Sequence, residues 1–243
     1  MGPPHSDDVQ RGRVLSRREV LASLSAAGAA LLTPQGRLVA GLWLPACIVR
    51  PEQTEGPYFL DQQLDRSDIR AEPSDGAVSV GAPLRLTIHV GRMNGATCAP
   101  LPGAVVDVWQ CDAHGVYSGV RDTAGRFDTT GKKFLRGHQR TGADGNAVFR
   151  TVYPGWYPGR TVHIHFKVRT NPDGARGHEF TSQLYFDDAF TDRVFARAPY
   201  AAAGQRTRNP GDGIFRRGGS DLILPVEADG DGYRGTFDIG LQL

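Results

Sequence analysis

Residues Val162–Val168, with the sequence VHIHFKV, decide the fold. Successive side chains of a β-strand point to opposite faces, so the four apolar residues of this stretch share a face that can pack against a second sheet. His163 and His165 share the other face, about 7 Å apart along the strand, and two such imidazoles can bend towards one metal ion. The alternative is a half-buried strand whose polar face, continued by Lys167, meets water.

The turn that leads into this strand, Tyr153–Arg160, has the sequence YPGWYPGR. Its two Pro-Gly pairs discourage a helix and predict a tight connection. Tyr157 in this turn is near enough in sequence to the two histidines to supply a phenolate oxygen to the same ion.

Short apolar runs separated by turn signals continue on both sides. The chain has 243 residues with 31 Gly and 16 Pro, a composition typical of a β-rich fold that forms one domain. The pattern predicts an all-β protein, an antiparallel β-sandwich with long loops and little helix. The predicted elements are strands at Leu84–Val90, Ala104–Gln110, Ala147–Val152, Val162–Val168, Phe180–Phe186, Leu222–Val226 and Tyr233–Ile239, a turn at Thr97–Gly103, a loop at Gly119–Lys133 and a short helix within Asp188–Ala198.

The charge balance argues against a polyanionic partner. The formal net charge is +2, so nothing indicates nucleic acid or an anionic membrane. Five arginines and three acidic residues lie in the first 46 residues, and without them the chain has 23 residues of each sign.

Residues 1–46 have the pattern of an export signal. Arg17 and Arg18 precede the apolar, small-residue run Val20–Leu32, which resembles a bacterial twin-arginine signal and is too short to span a bilayer. The alternative is an ordinary N-terminus with a chance arginine pair. We therefore expect an exported protein, periplasmic or extracellular, with no membrane span. Its β-sandwich domain would occupy residues 47–243 and begin with an extended arm over residues 47–60.

An exported protein meets an oxidising compartment, where cysteines can pair. Cys47, Cys98 and Cys111 allow one intramolecular disulfide, with three choices of pairing. The prediction favours Cys47–Cys98, which would tie the arm to the sandwich, and three buried thiols are the alternative. A lipid anchor on Cys47 is an open but disfavoured alternative, because a proline two residues earlier is unusual in a lipoprotein signal.

Three short motifs occur in a specific order: Gly-x-Tyr-Ser, Pro-Gly-x-Tyr-Pro and His-x-His. With the stretches around them they resemble the intradiol ring-cleavage dioxygenases, whose members include protocatechuate 3,4-dioxygenase and catechol 1,2-dioxygenase. The exported, single-domain bacterial members are the most similar in pattern. The matching stretches are Thr54–Tyr58, Ala104–Ser118, Asp144–Tyr157 and Arg160–Phe166.

The resemblance implies a non-haem Fe(III) ion held by two tyrosinates and two histidines, namely Tyr117, Tyr157, His163 and His165. Phenolate is a hard anionic donor that favours Fe(III), and a trivalent ion lowers the phenol pKa enough for both tyrosines to bind as phenolates. It also implies that Tyr117 and His163 are equatorial ligands, and that Tyr157 and His165 are axial.

The implied reaction is cleavage of a catechol-type aromatic diol by O2, both atoms of which enter a cis,cis-muconate-type product. Fe(III) would act as a Lewis acid and a template. Tyr157 would leave the metal and accept a substrate proton, and Arg160 would stabilise negative charge on the bound ring. Gln183 matches a family glutamine beside the ligands. The alternatives are that Arg160 is a surface arginine of the turn and that Gln183 is a strand residue that faces solvent.

Gly56, Pro57 and Tyr58 match arm residues that line the family pocket. Two departures from the family pattern matter. No stretch of the sequence matches the helical dimerisation domain of catechol dioxygenases, and a homodimer formed in another way is an open alternative. One chain must supply the whole site. The short turn Pro158–Gly159 suggests an open site that admits bulkier catechols, such as lignin-derived aromatics.

Two other interpretations of the same residues stay open. An exported, non-catalytic sandwich of the transthyretin-like kind would use the tyrosines structurally and would need neither the histidine pair nor Arg160. A zinc or copper site on the histidine strand would keep a metal but lack the red-brown colour of Fe(III)–tyrosinate.

Overall fold

The computed structural model describes residues 48–95, 97–122, 124–170, 177–200 and 205–243. The predicted export signal over residues 1–46 and the possible lipid attachment site Cys47 lie outside the described residues. Within the described ranges, no helix has the length and apolar character needed to cross a bilayer.

Nine strands and one α-helix are found in the described residues, which confirms the predicted all-β sandwich. Two short 3-10 helices, Asn209–Gly211 and Gly219–Leu222, precede the last two strands. The elements are β1 (Pro83–Asn94), β2 (Thr97–Pro100), β3 (Val105–Trp109), β4 (Arg136–Arg140), β5 (Asn146–Val152), β6 (His163–Arg169), β7 (Glu179–Tyr185), α1 (Asp188–Phe195), β8 (Val226–Asp229) and β9 (Gly232–Gln242).

The strands form two sheets. One has the order β2-β1-β9-β8, with β5 also paired to β1, and the other has the order β4-β3-β6-β7. The histidine strand β6 therefore lies inside its sheet, antiparallel to both β3 and β7. This interior position gives β6 a hydrogen-bonded neighbour on each of its two edges.

The apolar face of β6 packs into the core, as the alternation predicted. Ile164 and Phe166 are fully buried in one cluster with Leu86 and Phe149 of the other sheet. Full burial of such side chains stabilises the fold by about 1.5–3 kcal/mol each. A register shift of one residue would send the histidines into this core, so the core also fixes which face they occupy.

The polar face of β6 does not meet water, so that part of the half-buried alternative is wrong. His163 and His165 are each 2% exposed, and Lys167 is 5% exposed. The segments that cover this face include the N-terminal arm, which contains no helix or strand. The arm runs along β7, where the backbone N–H of Gln53 donates to the Thr181 carbonyl at 3.0 Å.

Three local predictions differ from the structure. The predicted turn at Thr97–Gly103 contains β2, which pairs with the end of β1. The predicted strand at Leu222–Val226 is wrong: a 3-10 helix ends at Leu222 and β8 begins only at Val226, with Pro225, which has no N–H to donate, just before it. No strand was predicted at Arg136–Arg140, because its sequence RGHQR lacks apolar alternation.

The cysteines differ in state. Cys98 is disulfide-bonded, and Cys111 is a buried free thiol. The predicted partner of Cys98, Cys47, lies outside the described residues.

Candidate metal centre

The four predicted ligands lie close together on the polar face of β6. Nε2 of His163 lies 3.1 Å from Nε2 of His165, 3.2 Å from the Tyr157 hydroxyl and 3.5 Å from the Tyr117 hydroxyl. Two imidazole nitrogens and two phenol oxygens from three separate segments thus surround one point.

A glycine brings the two tyrosine segments together. Gly115 has φ +82°, a conformation that favours glycine, and a Cβ there would lie 2.2 Å from the Trp156 carbonyl oxygen. Asp112 shapes the turn, because its Oδ1 accepts the backbone N–H groups of His114 and Val116, both at 2.9 Å. Tyr117 follows this turn directly, and close contact between the turn and Trp156 sets it opposite Tyr157.

The hydrogen bonds of His163 fix its tautomer. Its Nδ1 lies 2.6 Å from the Thr161 carbonyl oxygen, which can only accept, so Nδ1 carries the proton and Nε2 presents its lone pair to the centre. Nδ1 of His165 is also buried, but it has no hydrogen-bond partner among the described residues.

Burial keeps both histidines neutral. Desolvation, followed by the positive charge of Arg160, lowers the pKa of His163 to about 3. Desolvation and the neighbouring His163 hold the pKa of His165 well below its ordinary value. Both rings are therefore competent metal ligands across the physiological pH range.

Burial lowers the pKa of the two histidines but raises the pKa of the two phenols. It raises the pKa of Tyr157 to about 12, against the lowering effect of Arg160, and it raises the pKa of Tyr117 well above its ordinary value. Both phenols keep their protons unless a cation binds, so the site gains its negative charge only together with a metal.

The spacing of these donors suits one ion. Donors about 2.1 Å from a metal and at right angles to each other are about 3 Å apart, close to the separations around His163 Nε2. The described residues contain no group of three or more His, Cys, Asp or Glu arranged to hold a metal. The donors that complete the set are phenols, which favour a hard, highly charged ion such as Fe(III) over zinc.

Arg160 is held beside the tyrosine, and it is not a surface arginine. Its side chain is 15% exposed. Nε donates to Oδ2 of Asp212 at 2.9 Å, Nη2 donates to Oε1 of Gln183, and Nη1 lies 3.5 Å from the Tyr157 hydroxyl. Gln183 is fully buried, so its solvent-facing alternative is wrong too. Sequence analysis did not identify Asp212, since it is 52 residues from Arg160.

The arm brings two of its three predicted residues to the centre. A Cβ on Gly56 would lie 3.3 Å from Cε1 of His165. The ring of Tyr58 lies 4.8 Å from that of Tyr117, and its hydroxyl donates to Asp122 at 2.8 Å. Pro57 is exposed.

A groove of about 390 Å³ borders Tyr157 on its open side. Its wall is largely apolar and includes Val116, Phe127, Trp156 and Pro158. Of the four predicted ligands, Tyr157 is the one that lines this groove.

Comparisons with known proteins identify dioxygenases as relatives of this chain. A family model described as Dioxygenase matches residues 54–210. Catechol 1,2-dioxygenase 1 of Acinetobacter lwoffii is 30% identical over 152 residues, which are 52% of this chain and 43% of that protein. Chlorocatechol 1,2-dioxygenase of Pseudomonas putida is 31% identical over 153 residues, 55% of this chain and 52% of that protein. This chain spans about half the length of these two relatives.

Two solved structures cover most of the chain. An intradiol ring-cleavage dioxygenase from Tetranychus urticae superimposes with a TM-score of 0.70 and 32% identity, over 81% of this chain and 95% of that chain. The dioxygenase domain of a dioxygenase–carbohydrate-binding fusion from Streptomyces sp. SirexAA-E superimposes with a TM-score of 0.56 and 31% identity, over 81% of this chain and 99% of that chain. With a family model that matches well over half of its residues, this chain belongs to the intradiol ring-cleavage dioxygenase family.

Proposed function

We propose that this protein is an Fe(III)-dependent dioxygenase that opens a catechol-type ring between its two hydroxyl-bearing carbons and forms a cis,cis-muconate-type product. One observation carries the proposal: Tyr117, Tyr157 and His165 each place a donor atom within 3.5 Å of Nε2 of His163. Two relatives are named for catechol and chlorocatechol 1,2-dioxygenation, which supports an aromatic diol and O2 as substrates.

Tyr117, Tyr157, His163 and His165 would hold the ion. Fe(III), when bound, supplies a Lewis acid that makes a chelated diol acidic and its ring reactive towards O2. The two neutral imidazoles bring no charge of their own, so the charge of the ion is offset by the two phenolates and the incoming diol.

Tyr157 is the ligand best placed to move a proton. Tyr117 is fully buried, whereas Tyr157 is partly exposed and borders the groove. Burial raises the pKa of the Tyr157 phenol to about 12 when no ion is bound, so a Tyr157 oxygen that is not bound to the ion would take a proton from a diol hydroxyl that reaches it and keep it. Nη1 of Arg160, 3.5 Å from the Tyr157 oxygen, stabilises negative charge on either partner.

Arg160 provides a fixed positive charge. Asp212 and Gln183 hold its guanidinium from two directions, and both are fully buried. A charge held in this way needs little reorganisation when negative charge develops on the ring, which is the condition for effective electrostatic stabilisation.

The reaction is tested with isotopically labelled oxygen. Protein reconstituted with iron, incubated with catechol under ¹⁸O2, should consume one O2 per catechol and release a ring-opened dicarboxylic acid that carries two ¹⁸O atoms. The variant His163→Gln, which lacks one predicted ligand, should release none. A ring opened beside the hydroxyl-bearing carbons, or no O2 uptake by the iron-loaded protein, would refute the proposal.

The groove and the short turn Pro158–Gly159 support a site open to substituted catechols. We therefore expect kcat/KM for 4-substituted catechols with bulky apolar groups to equal or exceed that for catechol itself. A strong preference for unsubstituted catechol would contradict an open site.

The export proposal rests on Arg17, Arg18 and the apolar run after them. A fusion of residues 1–46 to a reporter should reach the periplasm of a bacterium, and Arg17→Lys with Arg18→Lys should retain it in the cytoplasm. Export of the double variant would refute a twin-arginine signal.

A further inference from the structure

The two histidines of the centre are oriented in different ways. A ligating histidine normally donates its second ring N–H to a carboxylate, carbonyl or water, which fixes the ring. Nδ1 of His163 has such a partner in the Thr161 carbonyl, at 2.6 Å. Nδ1 of His165 is buried without any partner among the described residues. The ring contacts of His165 therefore bear on how this ligand is oriented.

Trp109 provides that contact. The two rings are stacked, with centroids 5.0 Å apart and an angle of 9° between their planes. Trp109 and His165 are also direct cross-strand partners of β3 and β6, so the backbone register keeps the rings together. Gly56 of the arm approaches Cε1 of His165. The imidazole is thus confined by ring contact in place of a hydrogen bond.

The indole nitrogen of Trp109 is a second ring nitrogen near the centre that lacks a hydrogen-bond partner among the described residues. This atom, Nε1, is buried without a hydrogen-bond partner, and so are Nη1 of Arg136 and Oε1 of Gln62. All three side chains line one cavity of about 20 Å³. Buried polar groups are rarely left unpaired in native proteins, so three such groups around one small space call for a common partner.

One water molecule meets the requirements of that cavity. A buried water needs about 10–15 Å³ and two to four polar partners. A water in this space would have two N–H groups to accept, from Trp109 and Arg136, and one oxygen to donate to, Oε1 of Gln62. Asp107, which also lines the cavity, is already paired with Arg169 at 2.9 Å.

We propose that Trp109 is the positioning residue of His165, and that a single internal water held by Trp109, Arg136 and Gln62 locks the indole in place. His163 is oriented by the hydrogen bond that its Nδ1 donates to the Thr161 carbonyl, whereas His165, whose Nδ1 has no acceptor among the described residues, is oriented by stacking on Trp109. The proposal rests on the proposed function, because it assigns His165 as an iron ligand.

The test measures iron retention. Trp109→Met removes the ring but keeps much of its bulk, and Trp109→Phe keeps a ring without the N–H. Gln62→Leu removes the side-chain amide and with it the acceptor for the water. Phe149→Leu, a buried aromatic of the other sheet, is the control for lost core packing. Each iron-loaded protein is mixed with excess chelator, and the iron release rate is recorded with the wavelength of the visible band.

Loss of the contact that orients a ligand typically costs 10–100-fold in metal affinity, so we expect W109M to release iron at least about tenfold faster than wild type and to shift the visible band. W109F and Q62L should each release iron a few-fold faster, since both loosen the ring support. F149L should retain the wild-type rate. Equal iron release rates in W109M and F149L would overturn the proposal. If W109M does not fold, iron release at the wild-type rate from both W109F and Q62L would overturn it.

Failure of the proposed function gives a different result. A wild-type protein that takes up no iron would refute the ferric site itself. The positioning role is then read from ¹⁵N signals of the His165 ring in the metal-free protein. W109M should change the His165 signals and leave those of His163 as in wild type, whereas unchanged His165 signals would overturn the proposal.

Discussion

Arg160 and Asp212 form a buried ion pair, with Nε and Oδ2 2.9 Å apart, that connects the entry to the histidine strand with a 3-10 turn far along the chain. The same carboxylate oxygen accepts the backbone N–H of Thr161 at 3.0 Å, and the Thr161 carbonyl orients His163. Although burial raises the pKa of Asp212, Arg160 and the Thr161 N–H outweigh it and leave that pKa below its ordinary value. One carboxylate therefore helps to place both the fixed charge and a predicted ligand.

Arg160→Met should lower kcat about 100- to 1000-fold, because it removes a preorganised charge beside the reacting ring. Iron content should stay close to that of wild type, because no ligand is lost. Steady-state kinetics with catechol and metal analysis measure the two effects. Arg206→Met removes another ion-paired arginine with a largely buried side chain, whose partners Asp188 and Asp192 belong to α1. An equal fall in kcat in R206M would show that the R160M effect is general destabilisation.

Tyr157→Phe should lower kcat about 100-fold or more, the usual contribution of a positioned proton acceptor, and should weaken the visible absorption. Tyr153→Phe is the matched control, since Tyr153 is a buried tyrosine of the same turn whose hydroxyl bonds to Thr191 at 2.7 Å. Absorption and turnover like those of wild type in Y157F would exclude Tyr157 as a ligand.

Gly56→Ala should weaken iron binding, because its new Cβ would press on Cε1 of His165 from 3.3 Å. Gly76→Ala separates this clash from backbone strain: Gly76 has φ +73°, close to the +76° of Gly56, but nothing lies within 4 Å of its Cβ position. Both variants should lose about 1 kcal/mol of stability, measured by urea unfolding. Only G56A should release iron faster than wild type, and equal release from both variants would contradict the contact.

Lys167→Met should loosen the arm. The Lys167 ammonium lies 2.5 Å from Glu55, 2.7 Å from Glu179 and 4.2 Å from the centre of the Phe59 ring, so it joins two arm residues to β6 and β7. We expect limited proteolysis within residues 48–60 to become several-fold faster, with KM for catechol raised. Lys132→Met, which breaks an exposed ion pair with Asp75, should change neither, and an intact arm in K167M would contradict the prediction.

The metal-free protein should lose stability as the pH falls from about 6.5 towards 3. The unfolded chain binds protons at His163 and His165 near pH 6.5, whereas burial lowers the pKa of both in the folded state, that of His163 to about 3. The stabilisation is therefore complete above pH 6.5 and falls by up to about 1.4 kcal/mol per pH unit for each histidine below it. Urea unfolding at pH 7.5, 6.5 and 5.5 measures the slope.

His163→Gln is the control for that slope. Removing one of the two buried histidines should reduce the change in unfolding free energy between pH 6.5 and 5.5 by about 1 kcal/mol, because the unfolded histidine is already half protonated at pH 6.5. An unchanged slope in H163Q would mean that other groups cause the pH dependence.

The sequence predicted those parts of the site that are encoded locally. Alternation in Val162–Val168 and the Pro-Gly turn before it depend on neighbouring residues, so β6, its core face and the grouping of Tyr157 with the histidines could all be anticipated. Tyr117 depended on family resemblance, since its distance in sequence gives no geometric signal.

The parts that could not be predicted depend on contacts between distant segments. Asp212, in an unremarkable Asn-Pro-Gly-Asp turn, gains its role only when that turn packs against Arg160. The sequence identified Trp109 only as a residue of a predicted strand, and its position beside His165 depends on the register of β3 and β6. β4 escaped prediction for a similar reason, because its polar sequence forms a strand only through pairing with β3.

The most direct test of the account is the visible spectrum of the iron-loaded protein, recorded before and after anaerobic addition of catechol. If Tyr117 and Tyr157 bind Fe(III) with His163 and His165, the protein is red-brown with one iron per chain, and catechol shifts the band to longer wavelength at one equivalent. A colourless protein with stoichiometric iron, or a band that catechol leaves unchanged, would contradict the tyrosinate–iron centre.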